Sequence, residues 1–177
     1  QIDTENVGGL QLAWSWGMEE GRSQQAPLVR DGVLYLSNPG NVVQALDATD
    51  GTPLWEYRRQ FPGGGGGAGQ LRSLAIWEDL IFVATLDASM VALDARTGTV
   101  RWETEIADPE LGYSNSSGPI VADGKVINGI TGCGRFYEES CFITAHDART
   151  GQELWRTFTV ARPGEPGVGR GRKRIHR

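Results

Sequence analysis

The chain contains no apolar run close to the roughly 20 residues that span a bilayer and no basic-then-apolar leader. Nowhere do apolar residues recur persuasively at the 3.6-residue period of a helix. These gaps argue against a membrane span and against a helical fold. Sulfur and imidazole are equally scarce: there are two cysteines, Cys133 and Cys141, and two histidines, His146 and His176. A metal centre is not expected, because two sulfurs need partners and only His146 and His176 exist. Positive charge is in short supply too, with 17 Lys+Arg against 22 Asp+Glu and a net charge of −5, which excludes nucleic acid as the expected partner. Five of those bases fall in the last eight residues, "RGRKRIHR", which hold no acid. That tail, 167–177, is either a patch for an acidic surface or a terminus that is disordered or non-native. The first residue is Gln1, so a processed product or a piece of a longer protein is expected.

Glycine is abundant, at 25 of 177 residues, and hydrophobic content is 39%. Together with mixed charge, this is a globular composition long enough to bury a core. The dominant feature is a repeat. "ALDATDGTPLWE" (45–56), "ALDARTGTVRWE" (92–103) and "AHDARTGQELWR" (145–156) align on Trp55, Trp102 and Trp155, which are 47 and 53 residues apart. A period near 50 residues marks a solenoid or a propeller.

The interior of each period decides between them. The middle copy divides into four short β-rich runs, "LRSLAI" (71–76), "LIFVAT" (80–85), "MVALD" (90–94) and "VRWET" (100–104). The first copy has "APLVR", "VLYLS", "VVQAL" and "PLWEY", and the third has "GPIVA", "KVINGI", "CFITAH" and "ELWRTF". Four antiparallel strands joined by tight turns make one propeller blade, so the expected fold is all-β, with blades around 22–58, 70–105 and 115–159. "LQLAWSW" (10–16) has the pattern of a fourth strand whose first three are missing. Three blades and an orphan strand fall short of the 4–8 blades of typical propellers, so an incomplete ring is expected.

Within the repeat, Asp47, Asp94 and Asp147 are placed to accept hydrogen bonds from amides two or three residues on and so to fix the corner between the third and fourth strands. Gly51, Gly98 and Gly151 supply a positive φ there. Trp55, Trp102 and Trp155 follow four residues later. Each offers a broad apolar face for the next blade and an indole N–H for a backbone acceptor. The repeat is therefore architecture and not chemistry.

The pattern Ala-x-Asp-Ala-x-x-Gly-x-x-x-Trp, together with "LQLAWSWGM", "APLVRDGVLYLSNPGNVVQALDA" and "CFITAHDARTGQELWR", resembles the amino-terminal third of the quinoprotein alcohol dehydrogenases. These are eight-bladed periplasmic propellers that use pyrroloquinoline quinone (PQQ) and calcium. The resemblance covers roughly residues 2–166, a partial propeller. It implies an activity, alcohol oxidation by hydride transfer to the quinone, with a small alcohol as substrate and an electron acceptor such as cytochrome c. It also implies a site at the inner-strand ends, where the three carboxylates of the cofactor need cationic and amide donors. Arg72 in "QLRSLAIW" matches the family's inward arginine, which would be costly on an apolar strand without an anionic partner. Ser116 in "SNSSGPIV" matches a cofactor-binding hydroxyl. Thr131, Gly132 and Cys133 in "GITGCG" match a loop that meets cofactor carboxylates, and Gln24 stands where a glutamate is common, with Gln25 as the register alternative.

The chain departs from that family in three respects. Gly134 occupies the place of a calcium-binding glutamate, with Glu138 or Glu139 as substitutes or as plain surface carboxylates, so the metal ligands are unassigned. "GGGGGAG" (63–69) stands where many members carry an adjacent Cys–Cys pair. The catalytic base belongs to later blades, so the chain alone is expected to be inactive. Cys133 and Cys141 bracket a seven-residue insertion in the third repeat and are expected to form a disulfide, which fits an oxidising compartment such as the periplasm. His146 is expected to be a packed structural residue. The alternative function is a non-catalytic propeller scaffold of the outer-membrane assembly kind, which needs the tryptophan repeat but no inward arginine.

Overall fold

The computed structural model describes residues 2–61, 69, 71–132 and 141–159. These residues form three separate four-stranded antiparallel sheets, each with its strands in sequence order. Blade 1 contains β1 (Leu28–Arg30), β2 (Val33–Asn38), β3 (Val42–Asp47) and β4 (Pro53–Arg58). Blade 2 contains β5 (Ala75–Trp77), β6 (Leu80–Ala84), β7 (Ser89–Asp94) and β8 (Val100–Glu105). Blade 3 contains β9 (Ile120–Ala122), β10 (Lys125–Gly129), β11 (Phe142–Asp147) and β12 (Glu153–Phe158). The only helical segments among the described residues are short 3-10 turns at Val7–Gly9 and Pro109–Leu111. The all-β propeller architecture, as an open and incomplete ring, is what the repeat implied.

The blades are joined face to face by two apolar clusters. One packs Tyr35, Val43 and Ala45 of blade 1 against Ile81, Val83, Val91 and Leu93 of blade 2. The other packs Phe82, Met90 and Ala92 of blade 2 against Val126 and Phe142 of blade 3. Blade 2 is thus buried on both faces, which is why β6 and β7 read as continuous apolar runs and not as alternating ones.

The repeat motif forms the outer part of each joint. The Asp94 carboxylate accepts from the amides of Arg96 (2.9 Å) and Thr97 (3.0 Å), and its own carbonyl accepts from Gly98 N–H at 2.8 Å. Asp47 and Asp147 close the same turn in their blades. Gly51, Gly98 and Gly151 have φ of 78°, 72° and 74°. Each glycine receives an indole from the preceding segment. Trp55 Nε1–H donates to Ala95 O at 3.0 Å, and its ring lies where a Cβ on Gly98 would be only 2.5 Å away. Trp102 treats Ala148 (2.9 Å) and Gly151 (2.5 Å) in the same way. Glycine is therefore required twice, once by backbone conformation and once by contact.

Two sequence expectations need correction. Leu10–Trp16 forms no strand. A ladder needs a hydrogen-bonding neighbour, and among the described residues none lies along this segment. It is held instead by side chains: Trp14 Nε1–H donates to Ala48 O at 3.1 Å over Gly51, and Trp16 Nε1–H donates to Gln44 at 3.2 Å. The inner strand of blade 2 covers Ala75–Trp77 and not 71–76. Residues ahead of it turn to the neighbouring blade, where Ser73 bridges Ala26 in parallel and Ala26 N–H donates to Arg72 O at 3.3 Å.

His146 takes the place in blade 3 that Leu46 and Leu93 take in blades 1 and 2. It is fully buried, with Nδ1 at 3.1 Å from Gly151 O and Nε2 at 3.1 Å from Thr144 Oγ1. A carbonyl cannot donate, so Nδ1 carries a proton and donates it to Gly151 O, while the Thr144 hydroxyl meets Nε2. Burial lowers its pKa below the ordinary 6.5, against the opposing pull of the Gly151 hydrogen bond.

Three outcomes are expected. Trp102→Ala should lower unfolding free energy in urea by about 3–5 kcal/mol, whereas Trp155→Ala, at a side 41% exposed, should cost less than about 1 kcal/mol. Gly98→Ala should cost about 2–5 kcal/mol, combining a left-handed strain with displacement of Trp55, while Gly32→Ala, with φ of 79° and open space around it, should show only the strain of about 1–2 kcal/mol. Because the unfolded chain protonates His146 more readily than the folded one, stability should fall as pH drops below about 6.5. Urea titrations of His146→Leu between about pH 7 and 5.5 should lose that slope.

Candidate functional site

The innermost segments of the three blades converge at one end of the ring axis, ahead of β1, β5 and β9. Arg72 joins all three. Its Nε–H donates to Gln24 Oε1 at 3.3 Å in blade 1, and its Nη1–H donates to the Ser116 carbonyl at 2.8 Å in blade 3. Glycine again allows the approach: a Cβ on Gly118 would stand 1.7 Å from Ser73 Oγ and 2.5 Å from Ser73 O. Leu71 and Leu74 on either side of Arg72 are buried, while Arg72 itself is exposed. Arg72 lies ahead of β5 and not on it, and in this chain the desolvation cost expected for an inward arginine on an apolar strand is not incurred.

Arg72 has five N–H donors, and two meet acceptors on the described residues. No carboxylate of the described residues pairs with it. Arg59 shows the contrast: it is paired with Asp87 at 2.6 Å and Glu103 at 2.8 Å, closing the joint between blades 1 and 2. Burial opposes the Arg59 charge, and its acidic partners more than offset that, so its pKa is held above the ordinary arginine value. Arg59 is an internal ion-pair partner, and Arg72 is a cation with donors to spare.

The neighbouring groups are positioned firmly. Asn115, fully buried, donates to Thr85 O at 2.9 Å and Ser89 O at 3.1 Å and accepts from Asn128 at 2.8 Å. This network pins the backbone on which Ser116 sits. Asn128 Oδ1 is a buried acceptor without a hydrogen-bond partner among the described residues. The Ser116 hydroxyl makes no hydrogen bond to the described residues. Gln25, the register alternative to Gln24, serves blade 1 internally: its Oε1 accepts from the Ser37 amide and from Ser37 Oγ.

Thr131 and Gly132 lie on a separate link. Thr131 and Ser114 form an isolated antiparallel bridge, and Thr131 Oγ1–H donates to Ser114 O at 2.7 Å. Gly132, with φ of 86°, packs so closely that a Cβ would lie 1.9 Å from Gly112 O. Its missing side chain therefore makes room for the protein's own backbone. Cys133, Gly134, Glu138 and Glu139 lie outside the described residues, as do 63–68 of the glycine-rich stretch and the basic tail 167–177. Cys141 is disulfide-bonded.

Sequence reasoning missed Gly118, Asn115 and Asn128. The "NSSGP" string offered a signal, a glycine directly ahead of an inner strand, but the asparagines become legible only once their partners across the joint are known. Chemically, the cluster presents a cation, an amide and a hydroxyl on a rigid floor, suited to a planar anion with several oxygens. Among the described residues no group of three or more His, Cys, Asp or Glu converges, so they offer no metal cage. No helix among them is long and apolar enough to cross a membrane.

Comparison with known proteins agrees with the propeller fold. Residues 1–175 match the PQQ family described as "Glucose/ethanol/alcohol dehydrogenase, beta-propeller domain". The quinohemoprotein alcohol dehydrogenase ADH-IIG of Pseudomonas putida is 38% identical over 172 residues, covering 94% of this chain and 23% of its own. The dehydrogenase subunit of the quinone alcohol dehydrogenase of Gluconobacter oxydans is 37% identical over 174 residues, covering 92% of this chain and 23% of its own. The crystal structure of the quinohemoprotein alcohol dehydrogenase from Comamonas testosteroni superposes with a TM-score of 0.79 at 34% identity, over 94% of this chain and 26% of that one. The chain thus spans about a quarter of the length of its curated relatives. With its indole-locked blades and its match over residues 1–175, the chain belongs to the PQQ glucose/ethanol/alcohol dehydrogenase β-propeller family.

Proposed function

We propose that the intact protein is a PQQ-dependent alcohol dehydrogenase and that this chain supplies cofactor contacts to it. The observation that carries the reading is Arg72, which ties Gln24 to Ser116 across three blades and has no carboxylate partner among the described residues. The donor set fits a quinone bearing carboxylates. When bound, the quinone supplies an acceptor for the hydride that leaves the alcohol carbon.

The residues of this chain bind and orient. Arg72 would hold the cofactor by charge-assisted hydrogen bonds, the Ser116 hydroxyl would donate to it, and the Gln24 amide would contact it while steadying Arg72. Thr131, Gly132 and Cys133 belong to the reading as a stretch that would meet the cofactor carboxylates, with Cys133 outside the described residues. The Thr131 hydroxyl hydrogen is already donated to Ser114, so its contribution is to hold that stretch. None of these groups is a base for the alcohol proton, and the chain alone is expected not to turn over. Calcium is part of the reading for the intact protein, and the described residues offer no cage for it. A small alcohol as substrate, an electron acceptor such as cytochrome c, and a periplasmic location complete the proposal. The disulfide at Cys141 supports an oxidising compartment.

The test is a titration of the intact protein with PQQ and calcium, read by quenching of tryptophan fluorescence. Saturable quenching is expected, and Arg72→Ala should weaken it by about 10–100-fold, the range for losing hydrogen bonds to a charged group. Arg72→Lys should recover part of the loss. Absence of saturable quenching would turn the reading toward a propeller scaffold without a cofactor, and an unchanged affinity in Arg72→Ala would overturn the role given to Arg72.

A further inference from the structure

The two blade joints follow one plan, and they differ in one place at the end of the ring opposite Arg72. In the joint between blades 2 and 3, Trp77 closes β5 and lies beneath Arg149, whose Cζ is 5.0 Å from the ring centroid. Arg149 also donates to Glu78 at 2.6 Å. The corresponding residues between blades 1 and 2 are Arg30 in place of Trp77, Asp31 in place of Glu78 and Arg96 in place of Arg149. The indole is therefore missing, and Arg30 turns to Asp31 at 3.4 Å. The Arg96 side chain has neither an ion pair nor a hydrogen bond among the described residues.

What remains is an open groove of about 490 Å³. Its floor is the Tyr35–Trp55 pair, with centroids 6.0 Å apart, the counterpart of Phe82–Trp102 at 5.8 Å in the other joint. Leu54 and Ile76 wall it. Three carboxylates stand on its rim, each with a cation of its own: Asp31 lies 3.4 Å from Arg30, Glu78 is held by Arg149, and Asp79 lies 3.9 Å from Arg101. Arg96 is thus the rim cation without a direct carboxylate partner among the described residues, above an aromatic floor, an arrangement that favours a flat ring under the guanidinium and an anionic group beside it.

We propose that this groove binds a planar aromatic carboxylate, its ring filling the place that Trp77 fills in the next joint and its carboxylate meeting Arg96 and Arg30. The site is independent of the cofactor reading, since Arg30 lies at the opposite end of β1 from Gln24.

Saturation-transfer NMR and tryptophan fluorescence on the full chain, with phenylacetate as the probe, test it. Phenylacetate should bind saturably, and 2-phenylethanol, which lacks the charge, and acetate, which lacks the ring, should each bind at least about tenfold more weakly. Arg96→Ala, an exposed substitution, should weaken phenylacetate by about tenfold without moving the thermal midpoint. Arg30→Trp should fill the groove and abolish binding. The proposal is overturned if phenylacetate shows no saturation, if 2-phenylethanol binds as well, or if Arg96→Ala leaves the affinity unchanged.

Discussion

The indole N–H of one blade donating to the alanine carbonyl of the next, over a glycine with no side chain, is the interaction on which this structure depends. It occurs three times in sequence, from Trp14 to Ala48, from Trp55 to Ala95 and from Trp102 to Ala148. A sheet of four short strands cannot bury enough apolar surface alone. Joined this way, each blade covers the next, and the apolar clusters between them become a core. The aspartate turn is what keeps the acceptor in place. The Asp47 and Asp147 carboxyls are held below the usual carboxylate range chiefly by the hydroxyls of Thr49 and Thr150. The Asp94 carboxyl is held low by the Arg96 amide and Thr97, against partial desolvation.

The same repetition positions the candidate site. The outer joint sets the angle between neighbouring sheets, and that angle brings the starts of the inner strands within hydrogen-bonding reach near the axis. Arg72 can touch both Gln24 and Ser116 only because blades 1, 2 and 3 are already locked. The cation is thus held by contacts at both sides, with three of its five N–H donors left without an acceptor among the described residues. Architecture and chemistry use opposite ends of the sheets, so neither constrains the residue choice of the other.

Much of the fold was legible because it is written three times. The strand pattern, the corner aspartate and glycine, and the role of the tryptophan follow from periodicity and from local turn chemistry. What local reading misjudged depends on neighbours. Leu10–Trp16 carries a strand pattern but finds no ladder, and residues 71–74 leave their own sheet for the adjoining blade. Gln24 reaches Arg72, while Ser37 captures Gln25 from within blade 1, a difference that local sequence does not show. Arg72, Ser116 and Gln24 were singled out by likeness to a family, and their meeting in space follows from the blade geometry. Gly132, singled out in the same way, has an internal reason for lacking a side chain.

One irregularity recurs at the same point in every blade. Between the third and fourth strands the pairing slips after Ala45, Ala92 and Ala145, so that Leu54, Arg101 and Leu154 are extra residues on the outer strand. Because successive side chains in a strand alternate between faces, that additional residue decides which face carries the indole. Insertions are accepted elsewhere in the period, which lengthens from 47 to 53 residues, yet glycine and tryptophan stay four positions apart in all three copies. Loss of a single residue between them would hand the ring to the wrong neighbour, so the corner that runs from the alanine to the indole keeps one length in all three copies while the rest of the period drifts.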